Sequence, residues 1–206
     1  MIDNADPRAR RKEAKRQQIL AAAWTLAHRD GLGGISLRDL ADMVELRQPS
    51  LYAYFASKHD LYDAMFEEGN RALVERTKAL PVNDDPRAAV ADLARMLVDF
   101  CNEDIVRYVL MFQRHIPGFE PSAASYAVAI EFYEMGRAKL AAAGVTDQAD
   151  MDLFTTLIAG IADQQTSNEP GGTRYTPLID RIIAMFFREL DRELDNTHPT
   201  KRKAAR

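Results

Sequence analysis

Cysteine is almost missing from this sequence: the single Cys101 cannot close a disulfide within one chain, and no asparagine opens an Asn-x-Ser/Thr acceptor. Both absences fit a reducing cytosol better than secretion. Long apolar runs are missing too, since the longest charge-free stretch, 17–28, reaches only twelve residues, and the stretches 121–130 and 153–162 reach ten each. A spanning helix needs about 20, so no membrane span is expected. The first six residues are acidic and carry no apolar core, so a secretory signal is not expected either and a cytoplasmic location is. Catalytic signatures are likewise lacking: there is no H-E-x-x-H, G-x-S-x-G, P-loop, G-x-G-x-x-G or Glu-x-x-His pair. Cys101 has Asp99 and Glu103 as its nearest charged neighbours, which would raise a thiol pKa and argue against a redox thiolate. His59, Asp63 and Glu67 share a helix face at steps of four, and a solvated face is the expected reading of that spacing rather than a metal site. No enzyme activity, cofactor or metal is therefore expected.

What the chain has is material for a core and an uneven distribution of charge. It is 206 residues long and 47% hydrophobic, with a net charge of -4. Residues 1–60 carry +2, residues 61–195 carry -10 and residues 196–206 carry +4. Six cations, Arg8, Arg10, Arg11, Lys12, Lys15 and Arg16, fall within nine positions against one acid, Glu13. They are equally compatible with a basic arm that touches nucleic acid and with a solubilising tail.

Apolar residues recur at three and four throughout, so an all-α chain of about nine helices is expected. Gly31 stops a first helix whose face carries Ile19, Leu20, Ala23, Leu26 and Ala27. Ser36-x-x-Asp39 and Ser57-x-x-Asp60 have capping-box spacing and mark helix starts. Between them lie a short helix at 37–43, a turn at 44–46 and a second helix at 48–54 opening at Gln48-Pro49, where a missing N–H suits the first turn. Further helices are expected at 58–79, 86–102, 104–116, 122–143, 148–167 and 177–195. The domains expected are a basic arm at 1–17, a domain of short helices with its connecting helix at 18–80, a helical bundle at 81–195, and a basic tail at 196–206.

Two short helices meeting through a three- or four-residue turn have helix-turn-helix geometry. Leu37, Leu40, Ala41, Leu46, Leu51 and Phe55 supply the small core between them. The runs Ser36-Leu37-Arg38-Asp39-Leu40-Ala41 and Gln48-Pro49-Ser50-Leu51-Tyr52-Ala53-Tyr54-Phe55-Ala56-Ser57-Lys58 resemble the TetR (tetracycline-repressor-like) family of bacterial transcriptional regulators. The resemblance covers about 50 residues and implies a reader of double-stranded DNA. Arg38, Gln48, Pro49 and Tyr52 would meet bases, while Ser50, Tyr54 and Lys58 would hold phosphates. Ser36 and Arg47 complete the set expected at the DNA. Arg47 and Ala53 depart from the usual pattern, so base preference is this chain's own.

The resemblance also implies a ligand-responsive regulator, a repressor that binds a palindromic operator as a homodimer. In the C-terminal bundle, aromatics, methionines and a few polar groups suit a small-molecule pocket. Phe100, Tyr108, Met111, Phe112, His115 and Tyr126 are the expected contacts of a small-molecule effector. The last two helices are expected to form the dimer interface, with Leu157, Ile158 and Ile161 on one and Phe186 and Phe187 on the other. The alternative is a constitutive regulator without an effector, its bundle serving dimerisation or protein contacts.

Overall fold

The computed structural model describes residues 6–113 and 115–197. The first residues of the basic arm and the tail from 198 onward lie outside the described residues. Nine α-helices and no strand occur among the described residues: α1 Pro7–Asp30, α2 Leu37–Met43, α3 Gln48–Leu51, α4 Lys58–Lys78, α5 Pro86–Glu103, α6 Ile105–Phe112, α7 Ala123–Ala142, α8 Gln148–Asn168 and α9 Leu178–Thr197. No helix among them is long and apolar enough to cross a membrane.

Helix ends follow the capping residues closely. Asp6 accepts from the Arg8 N–H at 3.0 Å and Pro7 opens α1, so most of the stretch expected as an arm, 1–17, is helical from residue 7 onward. Gly31 ends α1 at φ 76°, its N–H reaching the Ala27 carbonyl. Asp104, Ser122 and Asp147 open α6, α7 and α8 through side-chain bonds to Arg107 N, Ser125 N and Ala149 N. α6 ends at Phe112, earlier than the expected 116. Gln113 is already extended, at φ -118° and ψ 124°, four residues before Pro117, the residue at which a proline stop would act.

The helices group into two compact units. Among the described residues, the first holds those up to Glu75 together with those in Asp104–Phe132, and the second holds Arg76–Glu103 together with those from Tyr133 onward. In the first unit the core contains Ile19, Leu20, Leu26, Leu40, Leu51, Leu61, Tyr62 and Met65, each at most 2% exposed. Burying a side chain of this size stabilises by roughly 1.5 to 3 kcal/mol. Polar pins join its helices: Trp24 Nε1 donates to Glu68 Oε2 at 2.7 Å, and Asp63 accepts from the Ser122 N–H and from both Ser122 and Ser125 hydroxyls. His28 and Asp104 lie 2.9 Å apart.

In the second unit α5 packs on α8 and α9. Phe154 meets Phe186 edge-on at 5.3 Å, and Phe186 meets Phe187 in the same way. The loop after α8 is held by side chains: Asn102 accepts from Gly171 N and donates to the Gly172 carbonyl, while the fully buried Gln165 donates to the Glu169 carbonyl and accepts from Tyr175 N. A buried amide with both ends satisfied avoids the penalty of an orphaned polar group.

Candidate nucleic-acid interface

α2, the turn after it and α3 are set by local chemistry before any packing. Ser36 Oγ accepts from Asp39 N at 3.3 Å, with the Asp39 carboxylate in the positive first turn. α2 closes when Glu45 adopts the left-handed region at φ 55°, so that Leu46 N reaches Ala41 O at 2.9 Å and Glu45 N reaches Asp42 O at 3.2 Å. This pairing satisfies the last carbonyls of the helix, a position where glycine is the usual choice. α3 opens from Arg47 with Pro49 in its first turn and is shorter than the expected 48–54, covering Gln48–Leu51 before turns carry the chain to Phe55. Leu40, Val44, Leu51 and Phe55 are buried, which fixes one helix against the other. Leu37 and Leu46 pack on that core half-buried.

The expected DNA contacts separate into two groups by exposure. Arg38, Arg47, Gln48, Pro49, Ser50 and Tyr52 are exposed, with Tyr52 at 48%. They stand on α2, α3 and the residues flanking α3, so the motif gathers them along one short stretch. Ser36 and Tyr54 are half-buried, the first as the α2 cap and the second packed on the core. Lys58 is half-buried as well: its Nζ donates to the Gly33 carbonyl at 2.9 Å and lies 5.6 Å from the Tyr62 ring centroid. Burial pulls its pKa below the ordinary lysine value. One turn further along α4, the Tyr62 hydroxyl donates to the Leu32 carbonyl at 2.6 Å, and burial pushes its pKa up. Two consecutive carbonyls between α1 and α2 are thus held by the start of α4.

Two cations that the motif did not single out also touch it. Lys15 Nζ donates to the Val44 carbonyl at 2.6 Å, and the Arg16 guanidinium lies 5.3 Å from the Phe55 ring centroid. Their signal in the sequence is spacing, for Lys15 stands four residues before the buried Ile19 and Arg16 four before the buried Leu20.

The expected effector contacts fall into different surroundings. Met111, Phe112 and Tyr126 line a cavity of about 500 Å³ in the first unit, together with Phe66, Phe119 and Glu120. His115 is exposed and lines a second cavity of about 310 Å³ with Leu32, Ile105, Val109 and Ile116. Tyr108 is buried, its ring 5.8 Å from that of Phe112. Phe100 belongs to the second unit, where it is 2% exposed. The three side chains weighed as a metal face are occupied otherwise: Asp63 caps α7, Glu67 pairs with Arg71, and His59 packs beside Phe119. No group of three or more metal-ligating side chains occurs among the described residues.

The dimer reading needs a correction in its residues. Ile158, Ile161, Phe186 and Phe187 are at most 6% exposed within one chain, because α5, α8 and α9 consume them as their own core. The apolar residues left outside on these helices include Leu153 at 51% and Met185 at 55%, beside a groove of about 200 Å³ that Leu157 and Leu190 also line.

Residues 19–65 match the family model described as "Bacterial regulatory proteins, tetR family". The chain is 25% identical over 129 residues to the nucleoid occlusion factor SlmA of Mannheimia succiniciproducens, covering 54% of this chain and 60% of SlmA. It is 29% identical over 121 residues to the HTH-type transcriptional activator FasR of Mycolicibacterium smegmatis, covering 58% of this chain and 55% of FasR. The matches thus span little more than half the length of these relatives. The crystal structure of the multidrug binding protein EbrR complexed with ethidium shares the fold, with a TM-score of 0.61, 24% identity, and coverage of 84% of this chain and 97% of EbrR.

Proposed function

Because the chain belongs to the tetR family of bacterial regulatory proteins and carries that family's DNA-binding helix-turn-helix, we propose that it is a ligand-responsive repressor that binds a palindromic operator as a homodimer. The observation that carries the reading is the α2–turn–α3 segment, where Leu40, Leu51 and Phe55 are locked in the core while Arg38, Arg47, Gln48, Pro49, Ser50 and Tyr52 are presented to solvent. Arginine offers two donors to guanine O6 and N7, glutamine pairs with adenine N6 and N7, and a proline ring meets a thymine methyl. Ser50 and Tyr54 supply hydroxyls to phosphate and Lys58 supplies an ammonium, the last two from the half-buried edge of the motif. Lys58 has three donor hydrogens, so one on the Gly33 carbonyl leaves others for a phosphate. The acidic balance of residues 61–195 repels DNA elsewhere and confines the contacts to the motif face.

The dimer forms through α8 and α9, with Leu153, Leu157 and Met185 at its centre. Two copies place their recognition helices about one turn of DNA apart, which makes the operator two-fold symmetric. The effector is a small, largely apolar molecule held in the cavity of about 500 Å³ between Phe66, Met111, Phe112, Phe119 and Tyr126. Phe66 belongs to α4, whose first turns hold the Gly33 and Leu32 carbonyls, so a ligand that displaces α4 disturbs the approach to α2. A coupling of about 1 to 3 kcal/mol changes DNA affinity about 5- to 150-fold.

Selection of duplexes from a random pool tests the reading, with a Gln48→Ala, Tyr52→Ala variant run in parallel. Enrichment of a two-fold symmetric site by the wild type and its loss in the variant are expected. No enrichment from folded, dimeric protein overturns it.

A further inference from the structure

We propose that the first turns of α1 form a cationic rail that grips the phosphate backbone of duplex DNA flanking the site read by α3. The inference rests on the DNA-reading role proposed above and extends it to a surface outside the motif. Residues four and seven apart share a helix face. Along the four-residue steps Arg11, Lys15, Ile19, Ala23 and Ala27, the last three are buried in the core. Along the seven-residue steps Arg8, Lys15 and Ala22, the last is buried as well. The stripe that packs the core in the second half of α1 therefore turns cationic in the first half.

Two contacts fix where the stripe points when it changes character. Lys15 reaches the Val44 carbonyl in the turn between α2 and α3, and Arg16 lies against Phe55 just after α3. The face is therefore the one turned toward the reading segment. Arg8, Arg11 and Lys12 continue it outward and are exposed. The seven residues from Lys15 back to Arg8 carry the rail about 10 Å beyond the motif at 1.5 Å per residue. The acids of this stretch do not cancel it. Asp6 is engaged as the cap of α1, and Glu13 accepts from Gln17 and lies 4.0 Å from the Arg16 guanidinium at the inner end of the rail, so a single acid stands beside the five cations Arg8, Arg11, Lys12, Lys15 and Arg16.

Exposed cations beside a DNA-reading helix complement a duplex, which carries one charge per ~1.7 Å of its axis. Long, flexible side chains set along a helix surface grip phosphates without reading bases.

The test uses the full chain and an Arg8→Gln, Arg11→Gln, Lys12→Gln variant, glutamine being chosen to preserve helix formation. Both are titrated onto the duplex that the wild type selects, once with long flanks and once with the flanks trimmed to the recognised bases, over a range of salt concentrations. On the long duplex the variant is expected to bind at least ~10-fold more weakly, with a plot of log affinity against log salt shallower by about two to three units. The selected bases stay the same, the difference shrinks on the trimmed duplex, and circular dichroism matches wild type. Wild-type affinity and slope in the variant on the long duplex would overturn the rail and assign these cations to solubility or to an acidic protein surface. A changed base preference would overturn it too, since that places the residues in a groove. If the wild type selects no duplex, the reading role of α3 falls and the rail falls with it.

Discussion

The reading segment of the first unit and the α8–α9 pair of the second obey opposite rules of exposure. In α2 and α3 most polar side chains face water, while Leu40, Ala41 and Leu51 face inward, and the residues proposed to read or hold DNA are drawn mainly from the exposed set. In α8 and α9 the informative residues are apolar on both sides of the boundary. Phe186 and Phe187 are spent within the chain, at 5% and 4% exposure, while their neighbour Met185 is left outside at 55%. A wide apolar stripe tells that a helix has more than one partner. It does not tell which part of the stripe meets which partner, because both partners want the same chemistry.

The sharpest way to break this contrast is to truncate neighbours on α9. Phe186→Ala should cost ~3 to 5 kcal/mol of stability, read by urea denaturation, because a packed aromatic leaves a cavity. Met185→Asp should leave the circular dichroism of the chain intact and shift the oligomer toward monomer in sedimentation. Equal loss of fold in both variants would erase the distinction. In the reading segment, Gln48→Ala should cost ~1 to 3 kcal/mol in affinity at one base position without changing thermal stability. Ser36→Ala removes the bond to Asp39 N and should lower stability by about 1 kcal/mol while the selected bases stay the same.

The smallest expected effect is a pH dependence in the second unit. The side-chain bond from Arg87 holds the Asp191 carboxyl below its usual range. A carboxylate whose folded pKa is depressed stabilises fully above the usual carboxylate range and loses that contribution as pH falls through the lowered value. Both groups are exposed, so the effect is small. The gap in urea midpoint between wild type and Arg87→Ala should narrow on acidification. A gap constant with pH would leave only the packing of Arg87 over Phe187 to explain it.

Helix starts were legible because they rest on local bonds that particular residues make with their own backbone. Ser36 and Ser57 both bond the N–H three residues on. The end of α3 and the end of α6 were not: the first depends on Leu51 and Phe55 being drawn into a shared core, and at the second Gln113 turns extended four residues before the Pro117 that marks a stop in the sequence. The exposure of Arg38, Gln48 and Tyr52 was legible because their motif sets them beside the buried Leu40 and Leu51. The role of Lys58 was only half visible. Its position at the head of α4 suggests a phosphate, whereas its bond to the Gly33 carbonyl depends on a turn 25 positions away. The effector candidates were chosen by residue type alone, and residue type cannot say that Phe100 and Met111 belong to different units.

Lys58 and Tyr62 stand four apart on one row of α4 and hold adjacent carbonyls, Gly33 and Leu32. Two tethers from one rigid rod do not behave as two independent strings. Both anchor points belong to one rigid helix, so any shift of α4 would displace them together, and the segment leading into Ser36 is tied to one body where two separate helices would have tied it to two.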